Sequence, residues 1–482
     1  MPVAADEQVT YLELSEDAGS AHKFYEVRIA GVVVTVRYGR IGESGQEKST
    51  SYPTVEKAAA AAAKKLGEKV RKGYAPAVRG VRQRRAVTRR AIVSSGSTAR
   101  QAPVLWRFSS GAAAFGIFVG EEHAWVGNER GDVYILTHDG RVTGRYGLPD
   151  GVKCIVADDW WIYAGCDDGK VYDLGGKVPR VAYEIAEDVD IYWLDIHDGV
   201  LGVADARGGI TTVDHEDEFQ WRRKATGSDG WMVRCDDDGV FHGHSRGVAR
   251  YAARSGDPVW HTPTEGEVLF GWQERDEVFA GTSRGWVHRL RKTDGSEAAR
   301  YRCDAAVFSC ASSPDGRYVF AGDNHSSVYC FAADGTRLWK LGTGCGSAYS
   351  MQYRDGRLYI VTTDGSLACL DASEQAVQAA EGGQVPQAAE VDGSGWQAAV
   401  AGTELEVVVA GSAGAAGGIE VECVQEGTRV RVRVVSAGFD RNRRVQFPKD
   451  IRVPGARYVV AEVLESGNGG FYRARGDIKR LL

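Results

Sequence analysis

The strongest constraint on the fold is a short motif, Gly followed by a β-rich run, that returns every 38–41 residues through the middle of the chain. It reads RGDVYIL at Gly131, DGKVYDL at Gly169, RGGITTV at Gly208 and RGVARYA at Gly247. It continues as RGWVHRL at Gly285, HSSVYCF at Ser326 and DGSLACL at Gly365. Upstream of most copies lies an apolar run ending near Ala-Gly or Val-Gly, and Trp221, Trp260 and Trp339 each fall thirteen residues after a motif position. A unit of this length holds four short strands and cannot bury its own faces, so neighbours must stack, as the blades of a β-propeller do. Seven copies predict seven blades over residues 102–373. The last copy lacks its Trp strand, while PVLWRFSSG, with Trp106, precedes the first copy and has no blade of its own. Trp106 is therefore expected to close blade seven, joining the two ends of the ring and removing an exposed sheet edge.

The repeats resemble the tryptophan-docking propellers of the pyrroloquinoline-quinone (PQQ) type, and SSPDGRYVFAGD also resembles a WD-repeat blade. That resemblance implies architecture and not activity, because propellers host enzymes, receptors and scaffolds alike. Composition agrees with a mainly β chain: 61 Gly against 12 Pro suits many short strands closed by turns. Large aromatics at one blade position are expected in the inter-blade core and not in a ligand cage. His242 and His244, in FHGHSRG, have no third His or carboxylate at a metal-binding spacing, so no metal is expected. The acidic clusters Asp158–Asp159, Asp167–Asp168 and Asp236–Asp238 read as turn residues. No HExxH, Walker A or kinase motif occurs, and no cofactor or catalytic residue is assigned.

Ahead of the repeats, residues 9–42 alternate as strands, with Val34, Val36, Tyr38 and Arg40 on one face of the third. A helix is expected from the N-cap Thr54 to a stop at Gly73, with Val55, Ala59, Ala62, Leu66 and Val70 as its apolar stripe and five Lys on its remaining surface. HKFYEVRI, VTVRYGRIGESGQ and KVRKGYAPA together resemble the WGR domain found in DNA-dependent poly(ADP-ribose) polymerases and in many bacterial multidomain proteins. This resemblance covers about residues 10–76, within the domain assigned to residues 1–76. It implies that Tyr38 and Arg40 take the DNA-contacting roles of the family's Trp and Arg, with Gly39 and Gly42 allowing close approach to the DNA backbone. Tyr38 stands where the family carries Trp and offers a smaller flat face. The polymerases' catalytic domain has no counterpart in the remaining length, so ADP-ribosylation is not expected.

Residues 77–101 form a basic linker in which Arg82, Arg84, Arg85, Arg89 and Arg90 are expected to bind phosphates. Residues 374–396 read as a second, flexible linker. Residues 397–482 read as a small basic β domain, with Arg429, Arg431 and Arg433 on one face of a half-buried strand. Its basic loops suit a single strand, a protein partner or plain docking.

Charge separates these parts. Residues 1–100 hold 18 Lys and Arg against 10 acids, residues 397–482 hold 13 against 10, and the middle holds 28 against 45. A polyanion is drawn to the ends and repelled by the centre. Nine cysteines without a CxxC pair, and a start with no secretory pattern, point to a reducing cytoplasm. No apolar stretch suits a membrane span. The expected function is a non-enzymatic adaptor in bacterial DNA repair or defence. Residues 1–101 bind DNA ends, nicks or duplex, and the propeller recruits a protein. The alternatives are a propeller enzyme with a bound quinone or metal, and a scaffold without DNA binding.

Overall fold

The computed structural model describes residues 8–15, 22–40, 45–76, 90, 92–185, 191–382, 389–391, 398–400, 405, 407–408 and 418–481. The chain falls into two compact units, the first essentially its N-terminal 88 residues and the second nearly all the rest.

In the first unit, β1 (Gln8–Ser15), β2 (His22–Ala30), β3 (Val33–Arg40) and β4 (Gln46–Ser51) form an antiparallel sheet, to which β5 (Ala75–Pro76) adds beside β1. Helix α1 (Val55–Val70) starts where Thr54 accepts a hydrogen bond from the Lys57 amide. Its buried stripe is Ala58 and Ala62, with Leu66 partly buried; Val55 and Val70 are exposed. Of the expected stripe, Ala62 and Leu66 face the sheet, whereas Val55, Ala59 and Val70 are exposed and Ala58 takes the buried place, because six consecutive alanines leave the apolar face undefined and only packing against Tyr25, Val27, Val34 and Val36 selects it. Gly73 ends the last turn at φ +88, a conformation that favours glycine.

The second unit is a ring of seven four-stranded antiparallel sheets and a further β domain. β6 (Val104–Ser109) lies against Ser366–Asp371 as the outermost antiparallel strand of blade seven, so the first strand of the ring completes the last blade. All seven motif positions have positive φ, from 53° at Ser326 to 136° at Gly247. A side chain there also meets the next turn: a Cβ on Gly208 would stand 2.0 Å from the Gly227 carbonyl oxygen. Gly208→Val is expected to cost about 2 kcal/mol or more, read as a lower urea midpoint at unchanged slope.

Three of the four repeat tryptophans clasp the blade that follows. The indoles of Trp106, Trp221 and Trp260 donate to the carbonyls of His138, Ala253 and Lys292 at 3.0, 2.8 and 2.9 Å, each 32 residues onward. Trp221 and Trp260 lie flat on Gly256 and Gly295, where a Cβ would come within 2.4 and 2.6 Å of the rings.

The segment expected to be a flexible linker begins instead as helix α2 (Glu374–Glu381), capped by Ser373 and anchored through buried Val377 and Ala380 in the core of blades six and seven. Farther on, Ala389–Val391 pairs parallel to β6, and Ala399–Val400 pairs parallel to the outer strand of blade one. An Ala/Gln/Glu composition suits a docked helix as well as a linker, and the apolar seat decides.

The C-terminal β domain is one mixed sheet around a core that includes Val421, Val432, Phe447 and Tyr458. Two of the three arginines on its basic strand face reach the propeller, while Arg433 pairs with Glu422 of the same domain at 3.3 Å. Arg429 and Arg431 pair with Glu218, Arg431 also with Glu216 at 2.6 Å, and Lys449 with Asp217 and with Glu184 at 3.2 Å. Deeper in, Arg473 pairs with Asp158 at 2.8 Å, with both side chains nearly inaccessible. Arg473 also donates to the Tyr163 hydroxyl at 2.9 Å and stacks 3.8 Å above Trp161. Burial alone would lower the Arg473 pKa, but Tyr163 and Asp158 outweigh it and raise it. Of the three roles open to this domain, docking on the acidic ring is the one its strand arginines serve. No helix among the described residues is long and apolar enough to cross a membrane.

Candidate nucleic-acid interface

Alternation along β3 sends Val34 and Val36 under α1 and brings Tyr38 to the same face just past the helix, where it is 42% exposed. Its register partner is Tyr25 on β2, and the two rings stack at 6.3 Å; Tyr74 meets Tyr25 edge-on at 6.3 Å. The Tyr38 hydroxyl donates to Gln46 at 3.1 Å, which fixes the ring without covering it. Lys69, in the last turn of α1, sets its ammonium 4.5 Å over Tyr25 and 5.1 Å over Tyr74. Burial first, then the neighbouring charges of Lys72 and Lys23, pulls its pKa down. An exposed aromatic face thus sits at the edge of an aromatic group that gathers three lysines, an arrangement that stabilises an incoming anion with a flat part.

The opposite face is closed. Glu26, 3% exposed, takes Arg28 and Arg37 at 3.5 Å each, and the Arg37 guanidinium lies 5.0 Å over Phe24. Gly39, expected to admit the DNA backbone, has a structural duty: a Cβ there would stand 2.8 Å from the Gly45 Cα and 3.2 Å from the Phe24 ring. Glycine is needed because the two ends of the β3–β4 loop close over Phe24. The Arg40 backbone pairs with Lys23 at the end of β3. The Arg40 side chain and Gly42 lie outside the described residues, as do Arg82, Arg84, Arg85 and Arg89.

Arg90 is corrected. It was expected among the phosphate-binding arginines, but it is 7% exposed, and its guanidinium donates to the Leu269 and Tyr349 carbonyls at 2.8 and 3.4 Å inside the ring. Burial pushes its pKa down to about 10, which leaves it charged at neutral pH but out of reach of DNA. Tyr25, Tyr74, Lys23, Lys69 and Lys72 were not singled out as site residues. The signal available was the β2–β3 hairpin, which places Tyr25 opposite Tyr38 once its two-residue turn is fixed.

His242 and His244 are fully buried in blade four. A third imidazole, His261, stacks on His244 at 5.3 Å. Burial depresses His242 to about 3 and His244 to about 4, keeping both neutral. Among the described residues no group of three His, Cys, Asp or Glu is arranged to hold a metal ion.

Residues 8–81 match the WGR domain family, and residues 244–382 match a propeller family described as outer membrane protein assembly factor BamB. No curated protein matches the chain. Among solved structures, the WD40 β-propeller domain of Doa1 is similar at TM-score 0.47 and 11% identity, over 59% of this chain and 98% of that one. A computationally designed protein, Ika8, is similar at TM-score 0.45 and 14% identity, over 56% and 99%. With its seven closed blades, the chain joins an N-terminal WGR domain to a β-propeller of PQQ type and a small C-terminal β domain.

Proposed function

We propose that the protein is a non-catalytic DNA-binding adaptor, in which the WGR domain engages DNA ends or nicks and the propeller recruits a protein partner, in bacterial DNA repair or defence. The observation that carries this reading is the exposed Tyr38 face beside Lys23, Lys69 and Lys72. A terminal nucleotide exposes a sugar or base face that closed duplex hides, and Tyr38 supplies a matching surface. Arg40 and the lysines supply phosphate contacts, and Arg82, Arg84, Arg85 and Arg89 extend the contact along the backbone. The acidic ring leaves DNA to the N-terminal part.

Tyr38→Ala is expected to weaken binding to nicked duplex roughly tenfold, from about 1–3 kcal/mol of lost stacking, while sparing closed duplex. The Lys23→Gln/Lys72→Gln pair should weaken both alike and flatten the dependence of log K on log salt by up to about 0.9 per lost contact. Fluorescence anisotropy at two salt concentrations separates these outcomes. If Tyr38→Ala lowers both affinities equally, end recognition is refuted.

A further inference from the structure

The centre of the ring carries a built constellation that the repeats do not advertise. In six blades the innermost strand has a β-bulge at its second residue: Phe115, Lys153, Tyr192, Leu269, Phe308 and Tyr349. A bulge leaves one residue out of the pairing and re-aims its side chain. These side chains meet across blade boundaries: Phe115 stacks on Tyr349 at 4.7 Å, Phe308 on Tyr349 at 5.5 Å, and Tyr192 on Trp231 of blade four at 4.0 Å. Arg90 occupies the resulting cage. Its guanidinium lies 5.2, 5.3 and 5.5 Å from the Trp231, Phe308 and Tyr349 rings, and its two carbonyl acceptors come from blades five and seven. Its partners are π faces and carbonyl oxygens, with Lys153 on a neighbouring side, 5.7 Å from the same Trp231 ring.

The chain reaches this cage along a polar track. Ser94 meets Ser347 at 2.6 Å, and the Ser95 amide donates to the Asn324 carbonyl at 2.8 Å. Ser97 meets Ser327 at 2.9 Å, and Ser326 donates to the Ser95 carbonyl at 2.7 Å. Ser326 is the one motif position that is not glycine, and it holds φ +53 where the arm crosses. Each of these bonds exchanges readily with water at a net of about 1 kcal/mol. With the Asn324 side chain donating to the Val93 carbonyl at 2.9 Å and the Gly342 amide to the Arg100 carbonyl at 2.6 Å, the arm is a strap of modest polar bonds that ends in the buried Arg90.

We propose that the axial cage is an arginine-recognition site, filled in cis by Arg90, and that withdrawal of the arm opens it to an arginine side chain of a protein partner. The seated Arg90 fixes the ligand chemistry. A planar guanidinium can face several rings while directing separate N–H groups at two carbonyls, whereas a lysine ammonium is a point charge without that fork. This site would give the recruiting role of the propeller a defined ligand. It stands apart from the DNA reading, since a chain that bound no DNA would still fill the cage.

The test uses the full chain with Arg90→Ala and Arg90→Lys, followed by melting temperature and tryptophan fluorescence. The probes are N-ethylguanidinium and the blocked tripeptides Gly-Arg-Gly and Gly-Lys-Gly. Saturable stabilisation of Arg90→Ala by ethylguanidinium and by the arginine tripeptide is expected, on the order of 2 °C at ten times Kd. The lysine tripeptide and ethylammonium should give none, and the wild-type chain should not respond, because its cage is full. If Arg90→Ala does not fold, ethylguanidinium present during refolding should restore its yield, and Arg90→Lys, whose ammonium lacks the fork, should also be stabilised by ethylguanidinium. No saturable response or rescue of Arg90→Ala, or an equal response from the wild-type chain or from the lysine probes, overturns the proposal.

Discussion

Deleting residues 102–109 is expected to lower the melting temperature on the order of 10 °C and to make the protein aggregate on heating. The segment supplies β6, whose Val104, Trp106 and Phe108 are buried. Removing Trp106 alone would cost about 3–5 kcal/mol as a cavity, and its indole bond to His138 goes with it. The deletion also strips Ser366–Asp371 of its outer antiparallel partner, and an exposed strand edge templates association. Differential scanning calorimetry with turbidity checks both effects. A melting temperature within two degrees of the parent would show that β6 does not close the ring.

Arg473→Ala is the second large expected effect, about 3–5 kcal/mol, because it leaves Asp158 buried without its cation. The loss should lie toward the lower end, since Asp158 also accepts the amides of Asp198 and Gly199 at 2.9 and 2.8 Å. Restoring volume and removing the charge together, in Arg473→Met/Asp158→Asn, should recover most of it. The peripheral pairs of Arg429, Arg431 and Lys449 are partly exposed and each worth far less. Chemical denaturation of the full chain should therefore show the C-terminal domain releasing early in Arg473→Ala and hardly at all in Arg429→Ala. Equal, small effects from both would mean that apolar contact, not the buried pair, docks the domain.

How much of this was legible in the sequence differs by part. The ring could be read because each motif glycine answers a local need, a positive φ, that recurs with the repeat. Closure by Trp106 was legible because counting strands leaves one copy short at one end and one strand spare at the other. The cage was not, since a bulge changes no residue count that periodicity detects, and Arg90 is chemically the same as the arginines before it. Its burial is a long-range fact, set by carbonyls 179 and 259 residues away. Likewise the alternation of Arg429, Arg431 and Arg433 correctly marked a polar face. Nothing local could say that the acids of blade three would cover most of it. At the proposed interface Tyr38 was named through the WGR resemblance, whereas the lysines around it converge only once α1 is laid on the sheet.

The central claim, that the WGR domain recognises a feature found at DNA breaks, is tested most directly by titrating the full chain against nicked, blunt-ended and closed-circular DNA of one sequence at physiological salt. The account predicts tighter binding to the nicked and blunt forms than to the closed circle, with the difference abolished by Tyr38→Ala. Equal affinity for all three forms would contradict it.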